Sequence, residues 1–257
     1  PSTKTAPAQG DVRLADFHAY ETDGGKTLPA DVRVFGPAPE TDFPVSRNLE
    51  PEYITIDGDV AYAALQENNA IAVVDLTTAT VQDIWALGFK DHAAEGNGLD
   101  ASDRDPEGAS TINIDTYPYP GLFGMYQPDG MDSYAADGHT FLVTANEGDA
   151  REWGDYVEPE RVKDLDVCED SPVAGLTGDE DLGRLEVTTE LGFDETDNCY
   201  SSLYAHGARS FSIWTTSGTL VFDSGDDFEQ ITALAAPGSF NFSNDDNDAD
   251  DFDSRSD

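Results

Sequence analysis

Three features of the sequence predict an all-β chain built from four-stranded antiparallel blades, the repeating unit of a β-propeller. Apolar runs are short and alternate with polar residues, turn signals fall between them at close spacing, and a four-run unit recurs in pieces along the chain. Residues 51–87 carry the unit most completely. An alternating run ends at Ile56, Asp57-Gly58 marks a turn, and Val60–Leu65 forms a second run. A polar turn at Glu67-Asn68-Asn69 leads to a third run at 71–76, and a Thr-rich turn leads to a fourth at 81–87. Four strands in so short a span, joined by tight turns, make one antiparallel meander.

The unit repeats in halves. In residues 128–149, Asp137-Gly138 matches Asp57-Gly58 and the run 141–145 matches 62–65; residues 208–232 match the second half, with runs at 211–214 and 220–222 around a Thr-Thr-Ser-Gly turn. A β-sandwich is the alternative architecture. Residues 90–120 and 150–207 are rich in Gly, Pro and acidic residues without periodicity, so they read as long acidic loop insertions, with a short helix near 159–165. The tail from residue 241 onward has no closing strand pattern, whereas a propeller must join its last blade to its first. Residues 1–257 are therefore expected to form the N-terminal part of a single propeller domain. The remainder of the same protein, or a second fragment, is expected to complete the ring.

Charge narrows the functional classes. The 257 residues include 53 Asp plus Glu against 13 Lys plus Arg, a formal net charge of −40. Nucleic acid and anionic membrane surfaces would be approached against that field, so neither is an expected partner. A 38% hydrophobic content with 13 Phe and 10 Tyr still supplies a core, and no apolar run is long enough for a transmembrane segment. Short carboxylates with very few lysines suit a halophilic surface, because salt screens the self-repulsion. The other explanation is that many of the acids are calcium ligands. The chain opens at Pro1 without initiator Met, basic n-region or apolar h-region, as expected after removal of a leader. Cys168 and Cys199 are the only cysteines; in a secreted chain they are expected to form a disulfide, the alternative being two buried thiols.

Several strings resemble a known family. They are GFKDH followed by GNGLDASDRD (88–105), MYQPDGMDSY (125–134), FLVTANEGDAREWGDY (141–156), ARSFSIW (208–214), LVFDSGDDFEQIT (220–232) and FDSRSD (252–257). Together they resemble the choice-of-anchor I family of secreted or surface-attached bacterial and archaeal proteins, from about residue 10 to the end. The resemblance implies a propeller-like repeat region, an extracellular location, and surface or matrix partners. Some members carry an alkaline phosphatase label or are fused to metallophosphatase domains, so a phosphatase-like or phytase-like activity is also implied. Where the family has a compact Asn-rich loop before FDSRSD, this chain has the acidic stretch 244–251.

Four constellations are candidates for chemistry. Asn146, Glu147, Asp149 and Asp155 follow an apolar strand and offer oxygen donors for a hard cation, while Arg151 among them suits a carboxylate or a bidentate phosphate clamp. The alternative is a charged loop held by an Arg–carboxylate pair. Asp100, Asp103 and Asp105 form a second candidate calcium loop, only partly matching EF-hand spacing. Asp253, Arg255 and Asp257 alternate on a would-be strand, placing a ligand-binding set or a salt-bridge ladder on one face. Asp223, Asp226, Asp227 and Glu229 read as hairpin-turn chemistry. His92 and His206 lie beside glycine-containing loops. No nucleophile elbow, zincin helix or phosphate loop is present, so catalysis would require metal-activated water. The expected function is an extracellular calcium-binding module that binds ligands or partners. A calcium-dependent phosphoesterase and a structural surface-layer or filament component are the alternatives.

Overall fold

The computed structural model describes residues 8–37, 44–102, 104, 118–237 and 240. After one helical turn, α1 (Val45–Asn48), the first sheet is the predicted meander: β1 (Pro51–Asp57), β2 (Val60–Leu65), β3 (Ala70–Asp75) and β4 (Thr80–Ala86), antiparallel in chain order. Strand alternation sends Ala63, Leu65, Ala72 and Ile84 to one face, where Phe17, Tyr20, Val32 and Leu49 of the N-terminal segment cover them. Tyr62, Ala64 and Ile71 point to the other. Because both faces are covered, β2 reads as a nearly continuous apolar run.

The chain continues through β5 (Phe89–Asp91), β6 (Leu122–Met125), β7 (Met131–Ala136), β8 (His139–Asn146), β9 (Glu152–Trp153) and β10 (Tyr156–Val157). It then forms β11 (Pro159–Arg161), β12 (Glu186–Thr188), β13 (Phe193–Asp194), β14 (Cys199–Tyr200) and β15 (Leu203–Ala205). Last come β16 (Ser210–Thr215), β17 (Leu220–Asp223) and helix α2 (Asp227–Ala235). The second four-stranded sheet has the order β17-β16-β8-β7. The two half-units of the sequence are thus halves of one antiparallel sheet, with residues 147–209 inserted between its second and third strands.

The two sheets stack head to tail. Asp57 pairs with Val60 across Gly58 (φ 59°), and Ala136 pairs with His139 across Asp137 (φ 51°) and Gly138 (φ 77°). Positive φ at the first or at both central residues gives turns whose twist matches the strands they join. Counted from these turns, Tyr62 corresponds to Phe141 and Ala63 to Leu142. The Tyr62 face of the first sheet packs on the Leu142 face of the second, so unlike faces meet. Trp214 closes this layer, with ring centroids 6.1 Å from Trp85 and 5.1 Å from Tyr126. Thr55 of β1 hydrogen-bonds to Asp132 (3.2 Å) and Ser133 (2.9 Å) of β7, so the first strands of the two sheets run side by side. Both sheets are open, and neither closes a barrel.

The stretch 150–207 departs from the expected loop. Its β11, β12 and β15 join β6 and β5 in a mixed sheet ordered β11-β12-β15-β6-β5, with β15 and β6 parallel. Strands of two or three residues are too short to show a period, which is why the sequence reads as irregular there. Leu122, Val162, Leu182, Val187 and Leu203 form its core. Where a short helix is expected, Pro159–Arg161 is a strand and Val162–Asp164 a 3₁₀ turn. Cys168 and Cys199 form the disulfide, Cα atoms 5.0 Å apart, contributing about 3–4 kcal/mol by restricting the unfolded chain. The acidic turn at 226–229 continues into α2, whose first turn holds Asp227 and Glu229 against the positive end of the helix dipole.

A buried polar cluster joins these parts. The Arg33 guanidinium pairs with Glu158 and donates to the Glu67 carbonyl (2.8 Å) and the Thr188 hydroxyl (3.2 Å). Glu158 also accepts the Arg151 backbone N–H (2.9 Å). The Arg151 guanidinium donates to Phe35 O (3.1 Å), Asn48 Oδ1 (3.0 Å), Asn48 O (3.0 Å) and Glu50 Oε2 (3.1 Å). Both guanidinium groups lie 4.1 Å from the Phe35 ring centroid. Burial pushes the Glu158 carboxyl up, but Arg33, His206, the Arg151 N–H and the Thr188 hydroxyl outweigh it, and its pKa falls below the usual carboxylate range. Glu158→Gln leaves a buried guanidinium without its counter-charge and is expected to cost about 3–5 kcal/mol at pH 7. A depressed pKa means this stabilisation is present above the unfolded value of 4.5 and is lost as pH falls through the lower folded value. Denaturant melts at pH 7 and pH 3 should therefore show the gap between wild type and variant shrinking in acid.

Candidate functional site

The inserted stretch leaves β8 at Glu147-Gly148 and returns to β16 through His206-Gly207, so its two ends meet at the strand ends. They touch. A Cβ on Gly148 (φ 98°) would lie 2.1 Å from the Gly207 nitrogen, and one on Gly207 (φ 73°) would lie 1.8 Å from the Glu147 carbonyl oxygen. Only glycine permits this approach and this backbone. Gln127, itself at φ 38° and fully buried, ties the crossing to the first sheet. Its backbone N–H donates to Asn69 Oδ1 (3.0 Å) and its carbonyl accepts the Gly148 N–H (3.2 Å). Its side chain donates to the Asp149 carbonyl (2.6 Å) and accepts the Gly207 N–H (3.1 Å).

Beside this crossing is a cavity of about 560 Å³, a size that suits a small ligand. Glu50, Glu67, Glu147 and Asp149 contribute to its wall, as do Trp153, His92 and His206. So do Arg151, Arg161, Arg184 and Arg209, four of the chain's nine arginines. Burial, with Glu50 and Glu52 nearby, pushes the Glu67 carboxyl up to about 7, and its Oε2 has no hydrogen-bond partner. His206 Nδ1 donates to the Asp149 carbonyl (3.1 Å), which leaves a lone pair on Nε2; that atom is buried and unpartnered. Burial lowers the pKa of His206 and holds His92 down at about 4, so both rings are neutral at pH 7. An adjoining cleft of about 340 Å³ is lined by Glu52, Gln66, Asp129, Glu147 and Asp149. Burial raises the Glu52 pKa, and repulsion from Asp129, Asp149 and Glu50 adds to the rise.

Glu147 and Asp149, at the end of β8, line both spaces. The other candidates separate from them. Asn146 is buried and engaged within the second sheet, donating to Ser210 (3.0 Å) and Ser212 (2.7 Å) and accepting from Thr144 (2.8 Å). Arg151 reaches the cavity wall, but its terminal nitrogens are held by Phe35, Asn48 and Glu50. Asp155 sits in the exposed turn between β9 and β10 and lines neither space. Asp100 is buried, its backbone N–H donating to Glu229 (2.8 Å). Asp103, Asp105, Asp253, Arg255 and Asp257 lie outside the described residues. Among the described residues, no three His, Cys, Asp or Glu side chains gather closely enough to hold a metal ion as they stand. The sequence reading missed Glu67, Gln127 and Trp153 as site residues, although Gln127 and Trp153 fall inside the strings MYQPDGMDSY and FLVTANEGDAREWGDY.

Open antiparallel sheets, a disulfide and a polar cavity at the strand ends define an all-β scaffold, with no membrane-spanning helix among the described residues. The chain belongs to the choice-of-anchor I family, whose domain model matches residues 2–257. Membership implies a surface-associated or secreted protein, and the disulfide is consistent with that setting. No curated protein and no solved structure matches the chain.

Two stability outcomes follow from the site geometry. Gly207→Ala meets both a backbone clash and a positive φ and is expected to cost about 2 kcal/mol or more in urea unfolding. Glu67 gives a pH signature of the opposite sign to Glu158. Its raised folded pKa makes its contribution to stability fall as pH rises from 4.5 through about 7. Glu67→Gln should remove that portion of the decline, as read from melting temperatures across pH 4–8.

Proposed function

We propose that this chain is a surface-associated, calcium-binding module of propeller type, with the ion held in the cleft at Glu147 and Asp149. The supporting observation is electrostatic: burial raises the Glu52 pKa and repulsion from Asp129, Asp149 and Glu50 adds to the rise, a repulsion that a divalent cation relieves. Gln66 adds a neutral oxygen donor, and no arginine lines the cleft. Calcium takes six to eight oxygens in flexible geometry, so modest side-chain rotations plus water complete a shell that the side chains do not yet form. Head-to-tail stacking of the two sheets supports the propeller part, because such stacking repeats the same interface from blade to blade. We favour binding without turnover. The phosphoesterase alternative needs cations at Glu147, Asp149 and Asp155 to clamp a phosphate, but Asp155 lines neither space, and the Arg151 guanidinium that could assist is committed to Phe35, Asn48 and Glu50.

Calcium titration tests the reading. Millimolar CaCl₂ is expected to raise the melting temperature and EDTA to reverse it, with about 2.7 kcal/mol of stabilisation at a hundredfold excess over Kd. Combined Glu147→Gln and Asp149→Asn should abolish the response while leaving the chelated protein folded. A calcium response that survives in the double variant, or none in wild type, overturns the assignment.

A further inference from the structure

The cavity inside the Glu147–Asp149 loop carries a second inference, independent of calcium in the outer cleft. Two of its wall residues hold polar atoms cut off from bulk water and unpaired within the protein. One is the Oε2 of Glu67, a residue only 8% exposed; the other is Nε2 of His206. A buried polar atom without a partner costs free energy that a hydroxyl reaching it recovers. The two atoms offer different chemistry. His206 Nε2 accepts only, because Nδ1 carries the proton donated to the Asp149 carbonyl, whereas a carboxyl group both accepts and, when protonated, donates.

Charge then selects the ligand class. The 13 Lys plus Arg against 53 Asp plus Glu set a field that repels anions from the whole molecule. At the cavity, Arg161 and Arg209 are already paired with Glu186 and Glu229, pairs that a charged ligand would have to disrupt, while Glu147, Asp149 and Glu152 oppose an anion. A neutral ligand avoids both penalties. Its groups must pair with both acceptors and donors on the wall, as hydroxyls do. Trp153, one face of whose ring is covered by the Arg151 guanidinium 4.4 Å from its centroid, offers its remaining aromatic surface on the wall to an apolar face of such a ligand. A pyranose ring has both properties, and about 560 Å³ accommodates one or two rings. We infer that this cavity binds a neutral carbohydrate of one or two sugar units, with His206 Nε2 accepting a sugar hydroxyl, Glu67 hydrogen-bonding a second and Trp153 against the ring.

The test uses the intact chain with EDTA present, which separates it from the calcium reading. A panel of glucose, galactose, mannose, N-acetylglucosamine, maltose and cellobiose is titrated by calorimetry, with glucose 6-phosphate and glucosamine as charged controls. At least one neutral sugar is expected to bind, and His206→Phe and Glu67→Met are each expected to weaken it about tenfold. Thermal melts check that both variants fold. Should either fail to fold, ¹⁵N imidazole spectra of wild type decide the matter. The chain has four histidines, and sugar should shift the His206 Nε2 resonance while leaving exposed His18 and His139 unmoved. Absence of binding by every neutral sugar, preference for a charged control, or a bound sugar that leaves His206 unshifted would each overturn the proposal.

Discussion

One fully buried carboxylate, Glu158, pairs with the buried Arg33 guanidinium and accepts the backbone N–H of buried Arg151, and the rest of the architecture depends on that arrangement. Arg33 comes from the N-terminal segment, Glu158 and Arg151 from the inserted stretch, and the carbonyl of Glu67 from the β2–β3 turn of the first sheet. None of these groups has water to fall back on, so each must find its partner in one geometry. Such a cluster need not add net stability relative to an apolar core, because desolvating the charges offsets much of their attraction. Its effect here is positional. A shift of the insertion relative to the first sheet would leave a buried charge unpaired, and that fixes where the cavity forms.

The same logic explains where a strongly acidic chain places its few cations. Lys90 is buried, donating to the carbonyls of Ala208 (2.9 Å) and Gly225 (2.6 Å) with Asp223 3.4 Å away. It thereby holds the return segment after the insertion, as Arg33 and Arg151 hold its start. Solvent-exposed pairs such as Arg161–Glu186 and Lys163–Asp179 are screened and contribute little. Salt thus acts unequally on this molecule. It weakens repulsion among the surface carboxylates while leaving the buried guanidinium and ammonium contacts almost untouched.

The sequence made the first sheet legible because its strands are contiguous and punctuated by turn residues at short range. Asp57-Gly58 and Glu67-Asn68-Asn69 announce its turns with no help from tertiary structure. The second sheet was legible only in halves. Asp137-Gly138 gives away β7–β8, but nothing local says that β8 pairs with β16 beyond a long insertion, since register between distant strands is set by packing. The site divides in the same way. Glu147 and Asp149 stand out as acids at the end of an apolar strand. Arg151 looks like a ligand group because its true partners, Phe35 and Asn48, lie 116 and 103 residues away. Glu67 reads as an ordinary turn residue, and only burial beside Glu50 and Glu52 reveals its unusual carboxyl.

The contact of Gly148 with Gly207 gives the insertion its functional meaning. Pinned at both ends, a long excursion becomes part of the frame, and Gln127 extends that frame to Asn69 of the first sheet. On the proposed reading, a ligand entering the cavity would meet walls held by these contacts, so little conformational entropy would be lost on binding. Cleft and cavity also share Glu147 and Asp149. On the proposed readings, a cation in the cleft would neutralise carboxylates that the cavity also uses, and would relieve the repulsion that adds to the burial-driven rise at Glu52. By thermodynamic reciprocity, whatever calcium does to sugar affinity, the sugar must do to calcium affinity by the same factor. The two sites would then be coupled through two side chains on one pinned loop, without any larger motion of the sheets.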